Sequence, residues 1–142
     1  SVHRRRYFGK LSGPLLDRVD VQLRVPAVTY HELSAVSGDA PESSATVAQR
    51  VAQARGAQQE RLRSLGCRLN AGVPGALLRR RLSPGAEAVE PLKAAMERRA
   101  LTARGFVKVL RVAWTLADLD GAVVPTREHV QLALYFKTTV TT

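Results

Sequence analysis

Arginine side chains are the groups in this sequence best suited to chemistry, because a guanidinium binds phosphate or carboxylate through a planar fork of N–H donors. A predicted helix over residues 105–119 carries four polar side chains on one face, at spacings of three, four and three: Lys108, Arg111, Thr115 and Asp118. Arg104 lies seven residues before Arg111 and projects near the same line. This face could reach an anion held between domains, and the alternative is a solvated basic face.

Arg18 is the second candidate, at the junction between a predicted helical turn over residues 14–17 and a predicted strand. Pro14 predicts the turn, because proline suits the first position of a helix. Asp17 and Asp20 flank Arg18 on the two sides. The alternative to a functional role is therefore a structural salt bridge, which contributes about 0–1 kcal/mol when exposed.

Other kinds of chemistry find no support in the sequence. There is no G-x-x-x-x-G-K-[S/T] phosphate loop, so we do not expect this chain alone to hydrolyse ATP. His3, His31 and His129 have no ligand spacing to one another or to the single Cys67, and no metal site is predicted. Neither Ser12 nor Cys67 has a base at a diagnostic spacing for a nucleophile.

The composition is that of one globular domain, with 142 residues of which 45% are hydrophobic and 24% charged. A single cysteine favours a reducing compartment, so we expect a cytoplasmic protein. The apolar runs are far shorter than the ~20 residues of a membrane span, and no membrane partner is expected. The net charge is +10, which leaves solvated faces and DNA-phosphate contacts both open for the basic clusters. These clusters are Arg4–Arg6, Arg61 with Arg63, Arg79–Arg81, and Arg98 with Arg99.

The elements that must position the arginines are mostly helices. Residues 19–25 alternate apolar and polar side chains before Pro26, which predicts a strand. No second strand of comparable quality is present, so its sheet would lie in sequence outside this chain. Five helical segments follow, over residues 44–63, 76–82, 83–99, 105–119 and 126–136.

Caps and apolar faces add detail to the predicted helices. Caps are expected at Ser43 or Ser44, at Ser83 and at Thr126, and Pro91 is expected to kink or divide its helix. The first long helix should bury Val47, Val51, Ala54 and Leu62. The helix over residues 105–119 should bury Phe106, Val109, Leu110, Ala113, Leu116 and Ala117.

Residues 10–21, KLSGPLLDRVDV, resemble the L-S-G-P-L-L-D-R-[I/V]-D segment of the magnesium chelatase-like AAA+ ATPases, in particular the competence protein M-like branch. The similarity runs in order from Tyr7 to Phe136. It includes Glu42-Ser43-Ser44, Arg50-Val51, Asn70-Ala71, Leu101–Gly105, Leu110–Ala113, Ala117–Leu119 and His129–Leu134. The resemblance implies a mainly α chain. Residues 1–28 would end an α/β core with a turn and one strand, 29–43 would be a linker loop, 44–136 a helical lid, and 137–142 a tail.

The resemblance also implies roles for three arginines. Arg18 matches the arginine finger that reaches the γ-phosphate bound to a neighbouring subunit, and Arg111 in L-R-V-A matches sensor 2. Arg104 would be an accessory nucleotide-binding residue at the base of the lid. Walker A, Walker B and sensor 1 lie upstream in this family, so ATP and Mg²⁺ would be bound by the parent protein. Trp114, where the family usually has arginine, and Pro91 depart from the pattern.

The function implied is the lid of a ring-forming, homo-hexameric ATPase that remodels DNA as a branch-migration or helicase-type motor. Two alternatives remain. One is the ATPase subunit of magnesium chelatase, which the S-G-P-L-L-D-R block disfavours. The other is a stand-alone basic helical adaptor that binds DNA or protein without ATP.

Overall fold

The computed structural model of the chain describes residues 12–30 and 42–138, and this part is mainly helical, as predicted. The described residues form six α-helices: α1 (Gly13–Arg18), α2 (Ser44–Leu62), α3 (Gly75–Arg80), α4 (Ala86–Glu97), α5 (Ala103–Leu119) and α6 (Arg127–Thr138). Short 3₁₀ turns lie at Arg63–Leu65 and Asn70–Gly72. The helices α2 to α6 correspond to the five predicted segments. Most of the predicted linker and the last four residues of the predicted tail lie outside the described residues.

The prediction of a strand over residues 19–25 is wrong for the part of the chain that the structure describes, which contains no strand. The backbone is extended at Val19, with φ −77° and ψ 129°, but a strand requires a ladder of hydrogen bonds to a neighbouring backbone. A single backbone hydrogen bond is formed instead of that ladder, in which the Gln22 N–H donates to the Phe136 carbonyl at 2.9 Å. Val21, Leu23 and the other alternating apolar side chains stay exposed.

The core of the bundle surrounds α5, which contacts α2, α3, α4 and α6. Its predicted apolar stripe is confirmed: four of the six side chains are buried and the other two, Phe106 and Leu116, pack against the core. Facing helices supply fully buried leucines and valines, among them Leu62, Leu78, Leu92 and Val130. The helix that carries Arg104 and Arg111 is therefore the centre of the fold.

The predicted apolar face of α2 is only half correct. Leu62 and Ala54 are buried, whereas Val47 and Val51 are 37% and 44% exposed. Ser43 caps this helix as predicted, since its side chain accepts the Thr46 N–H at 3.1 Å. The core therefore covers only the C-terminal half of α2.

The start of α4 differs from the prediction. The helix begins at Ala86 after Gly85, and the predicted cap Ser83 instead donates its hydroxyl to the Pro84 carbonyl at 3.2 Å. Pro91 lies inside α4 without dividing it. Pro91 is the sixth of the twelve residues of α4 and removes one intrahelical hydrogen-bond donor, yet the helix continues to Glu97. None of the described helices is long and apolar enough to cross a membrane.

Candidate functional site

Arg18 is the last residue of α1, and its side chain is exposed. The structural salt bridge that the sequence left open is not formed. The Asp20 carboxylate lies 2.6 Å from the Lys108 Nζ, and the Asp17 carboxylate lies 3.5 Å from the Lys137 Nζ. Among the described residues, the Arg18 guanidinium has neither an ion-pair nor a hydrogen-bond partner. Lysines of other helices thus pair with both adjacent acids, and the exposed Arg18 guanidinium is left without a partner among the described residues.

Arg111 lies on α5 and is half-buried. Its Nη2 and Nε donate to the Val73 carbonyl, at 2.8 and 3.3 Å. A guanidinium has five N–H donors in a fixed plane, so this contact uses one edge and sets the orientation of the group. The remaining donors have no partner within residues 12–30 and 42–138. Arg111 is therefore an oriented cation whose other edge carries N–H donors without a partner in the described part of the chain.

Arg104 lies in the first turn of α5, two residues after the cap Thr102. The Thr102 hydroxyl oxygen accepts the Gly105 N–H at 3.0 Å, which fixes the helix start. The Arg104 side chain is exposed and has no hydrogen-bond or ion-pair partner in the described part of the chain. It therefore adds positive charge at a helix end that already favours anions.

Lys108 connects these arginines. Its Nζ donates to the Arg18 carbonyl at 2.5 Å, and it lies four residues after Arg104 and three before Arg111 on α5. One helical turn separates it from each of these two arginines. The structure thus brings the backbone of Arg18 against the face of α5 that carries the other two candidates.

That face of α5 is not the solvated surface that the sequence left open. Lys108 contacts α1, and Arg111 contacts the segment after the second 3₁₀ turn. The Thr115 hydroxyl donates to the Arg111 carbonyl at 3.0 Å and accepts from Asn70 Nδ2 at 3.1 Å. Asp118 is buried. Each of these four side chains contacts another group of the protein, and of the four only Thr115 is exposed, so this polar line is largely an internal interface.

A buried network around Arg61 was missed by the sequence analysis, which grouped Arg61 with surface cations. Its guanidinium pairs with both oxygens of Asp118 and donates to Asn70 Oδ1 at 2.8 Å. It also lies 4.1 Å from the ring centroid of Trp114, within cation–π range. The Arg61 side chain is only 16% exposed. The network joins α2, the second 3₁₀ turn and α5.

This network supports Arg111 indirectly. Asn70 Nδ2 donates to Asp118 at 2.9 Å, and the Asn70 carbonyl accepts the Val73 N–H at 3.2 Å. The same segment then presents the Val73 carbonyl to Arg111. The Trp114 Nε1 donates to the Leu82 carbonyl at 2.9 Å, so this departure from the family pattern has a structural role.

A second polar cluster fixes the start of α6 away from the arginines. His129 Nδ1 accepts the Thr126 N–H at 2.9 Å, and its Nε2 lies 2.9 Å from an Asp120 oxygen. The Glu128 carboxylate accepts hydrogen bonds from the Thr126 hydroxyl and, with a smaller effect, from its own backbone N–H. These bonds lower the pKa of that carboxyl from its ordinary value. These contacts resemble a capping box, with His129 at the third helical position. Among the described residues, no cluster of three or more His, Cys, Asp or Glu side chains could hold a metal.

Comparison with known proteins gives two family matches. Residues 41–137 match the model of the magnesium chelatase, subunit ChlI C-terminal family, and residues 1–33 match that of magnesium chelatase, subunit ChlI. An uncharacterized protein of Mycobacterium tuberculosis is 48% identical over 136 residues, which is 96% of this chain and 26% of that protein. The uncharacterized protein YifB of Escherichia coli is 37% identical over 93% of this chain and 25% of its own length.

A named relative is the competence protein ComM of Haemophilus influenzae. It is 31% identical over 135 residues, covering 95% of this chain and 26% of that protein. The chain therefore spans about a quarter of the length of the curated relatives it matches.

Proposed function

The chain belongs to the magnesium chelatase subunit ChlI C-terminal family, within the group of AAA+ proteins that includes YifB and ComM, and from this premise we propose that it is the nucleotide-sensing lid of a ring-forming ATPase. The intact protein would be a cytoplasmic homo-hexamer that hydrolyses ATP. This chain would supply three of the cations that the ATP sites need, and the phosphate loop would come from the segment upstream.

Arg18 is proposed as the arginine finger. The observation that carries this proposal is that the Arg18 guanidinium is unpaired among the described residues. An exposed arginine beside two carboxylates would ordinarily pair with one of them, yet Lys108 and Lys137 hold both. A guanidinium left with its full charge at the end of a short helix suits the γ-phosphate of a nucleotide in the neighbouring subunit. In analogous enzymes, such a charge raises turnover by about 10³–10⁵.

Arg111 is proposed as sensor 2, the lid arginine that contacts the γ-phosphate. Its contact with the Val73 carbonyl fixes the guanidinium plane while leaving donors on the other edge. Arg104, one turn before Lys108, is proposed as an accessory cation for the same nucleotide. A bound triphosphate would then stabilise one orientation of α5 relative to the upstream core.

The described residues fit the anionic part of this ligand and not its metal. The unpartnered guanidinium of Arg18 and the open edge of Arg111 have the donor chemistry of phosphate-binding groups. Residues 12–30 and 42–138 contain no acidic or histidine cluster for Mg²⁺. As the family resemblance implies, Mg²⁺ and the adenine nucleotide are assigned to the upstream segment of the parent protein, and the described residues would contribute arginines.

DNA is proposed as the substrate of the whole motor, in keeping with the ComM relative that is named a competence protein. Arg79, Arg80 and Arg81 are exposed at the end of α3 and form a local cluster of positive charge. Arg61 does not belong to such a surface, because Asp118 neutralises it inside the fold. If the exposed arginines contact phosphates, DNA affinity falls steeply as salt is raised.

The test is steady-state ATP hydrolysis by the full-length parent. Arg18→Ala should lower kcat by about 10³-fold or more while ATP affinity is retained, because a finger acts on the site of its neighbour. Arg111→Ala should lower kcat and also weaken ATP binding, since sensor 2 contacts the nucleotide directly. Arg63→Ala is the matched control, because Arg63 forms only an exposed pair with Glu60. Unchanged turnover in both Arg18→Ala and Arg111→Ala would refute the proposal.

The full-length parent also distinguishes the motor from the two alternative functions. A magnesium chelatase subunit would need tetrapyrrole-pathway partners and would not respond to DNA. A basic adaptor would bind its target at full affinity without nucleotide. Stimulation of ATP hydrolysis by DNA would favour the motor over both.

A further inference from the structure

We propose that Lys108 and Lys137 are positioning residues for Arg18, which attach α1 to the lid so that the finger moves with α5 and α6. This inference rests on the proposed function of Arg18. It assigns a function to two half-buried lysines for which neither the motif at residues 10–21 nor the polar line of α5 suggests this role.

Lys137 caps the C-terminal end of α1. Its Nζ donates to the carbonyls of Leu16, Asp17 and Val19 at 3.2–3.3 Å, and it lies 3.5 Å from an Asp17 carboxylate oxygen. The last carbonyls of a helix lack intrahelical donors and carry partial negative charge. A compact ammonium with three donors suits this site, and here it comes from a residue about 120 positions away in the sequence.

Lys108 contacts the backbone of Arg18, the proposed finger. Its Nζ donates to the carbonyl of Arg18 itself at 2.5 Å and to Asp20 Oδ1 at 2.6 Å. These two contacts lie on either side of Val19, where the chain leaves α1. The direction in which the Arg18 side chain leaves the backbone is therefore fixed by a side chain of α5.

The low exposure of the Lys108 and Lys137 side chains distinguishes their contacts from ordinary surface ion pairs. The side chains of Lys108 and Lys137 are only 12% and 10% exposed, whereas that of Lys93, which lies 3.8 Å from Glu90, is 53% exposed. Removing either ammonium would take a donor away from the carbonyl oxygens at the end of α1. The hydrogen bond from the Gln22 N–H to the Phe136 carbonyl adds a second link between this segment and α6.

The arrangement couples the two proposed nucleotide-sensing arginines. Lys108 lies three residues before Arg111 on α5, so a movement of the lid that follows the contact of Arg111 with nucleotide would also move Lys108. Lys108 and Lys137 would carry α1 with them. Occupancy of one ATP site would thereby set the position of the finger that serves the next site around the ring.

The first measurement is amide hydrogen exchange over residues 13–19 in the 142-residue chain. Lys108→Met and Lys137→Met keep most of the apolar stem and remove the charge. Both should accelerate exchange in α1 while leaving α5 protected, and Lys93→Met should change nothing. This readout needs no ATP, so it tests the attachment independently of the proposed function.

The second measurement is kcat and ATP Kd in the full-length parent. Both lysine variants should lower kcat by about 10- to 100-fold, as expected for a misplaced catalytic group, with an unchanged Kd for ATP and a smaller loss than Arg18→Ala. Lys137→Arg, which keeps the charge, should retain more turnover than Lys137→Met.

The two measurements distinguish a failure of the positioning inference from a failure of the proposed function. If Arg18→Ala collapses turnover while Lys108→Met and Lys137→Met keep the wild-type kcat, the positioning inference is wrong and the finger assignment stands. If Arg18→Ala leaves kcat unchanged, the proposed function itself is wrong. Wild-type exchange rates in α1 of both lysine variants would overturn the attachment regardless of ATP turnover.

Discussion

Replacing Asp118 by Asn tests the buried network that supports the site. The Asp118 side chain is 2% exposed, and its oxygens accept from both Nη atoms of Arg61 and from Asn70. The amide of Asn keeps the shape but loses the charge, so the Arg61 guanidinium stays buried without its counter-ion. Removing one partner of a fully buried ion pair costs about 3–5 kcal/mol.

The structure sets the expected value at the lower end of that range. Arg61 is 16% exposed and keeps its contacts with Asn70 and the Trp114 ring, which reduces the penalty. We therefore expect a loss of about 3 kcal/mol in the free energy of unfolding. For a chain of this size, that lowers the Tm by roughly 10 °C.

The assay is urea denaturation of the 142-residue chain, followed by helical circular dichroism and by the fluorescence of its single tryptophan, Trp114. Glu60→Gln is the control, since it removes only the exposed pair with Arg63, worth about 0–1 kcal/mol. Two outcomes would refute the reasoning. One is an Asp118→Asn loss no larger than that of Glu60→Gln. The other is a double Arg61→Leu, Asp118→Leu variant less stable than Asp118→Asn, because an apolar pair should be tolerated better than an unpaired charge.

Three further changes test local features. Trp114→Phe removes the donor to the Leu82 carbonyl and should cost about 1–2 kcal/mol of unfolding free energy, measured by circular dichroism; no loss would contradict this role. Arg99 has a φ of 57°, so Arg99→Gly should stabilise the chain by about 0.5 kcal/mol in the same assay, and a destabilised variant would contradict the strain. The pKa of Glu128 is lowered from 4.5 in the folded chain, so its stabilising contribution is present above the unfolded pKa and is lost as the pH falls through the folded value. Glu128→Gln should therefore differ from wild type at pH 7 but not at the acidic end of a denaturation series, and an equal difference at both would refute this linkage.

The helices were predictable from sequence because their signals are local. Apolar residues at helical spacing on α5 identified its buried stripe, and Ser43 before α2 identified a cap. The half-exposed face of α2 was not predictable in the same way, because Val47 and Val51 follow the helical pattern whether or not the bundle extends far enough to cover them.

The contacts that set the environment of the arginines were beyond sequence reasoning. The Arg61–Asp118 pair joins residues 57 positions apart, and Lys137 contacts the Asp17 carbonyl across 120. No local spacing encodes such pairs, so the sequence alone places Arg61 among the basic clusters and gives no sign of its buried partner. Arg18 and Arg111 are candidates from sequence alone, first by position and helical spacing and then by their motifs, whereas their local geometry required the fold.

The predicted strand illustrates a different limit. Alternation at Val19, Val21 and Leu23 reports the capacity of a segment to form a strand, whereas the ladder itself depends on a neighbouring backbone. Within the described residues the segment gains a single link to α6 and keeps its apolar side chains exposed. Whether an upstream sheet pairs with it stays a prediction.

The most direct test of the central claim is a mixing experiment with the full-length parent. Subunits carrying Arg18→Ala are combined with subunits that keep Arg18 but have a disabled phosphate loop, and ATP hydrolysis is measured across mixing ratios. Each variant alone should be nearly inactive. The mixture should recover turnover, because an intact Arg18 then faces an intact site in the neighbouring subunit. Full activity of the Arg18→Ala ring by itself, or no recovery at any ratio, would contradict the assignment of Arg18 as a finger acting between subunits.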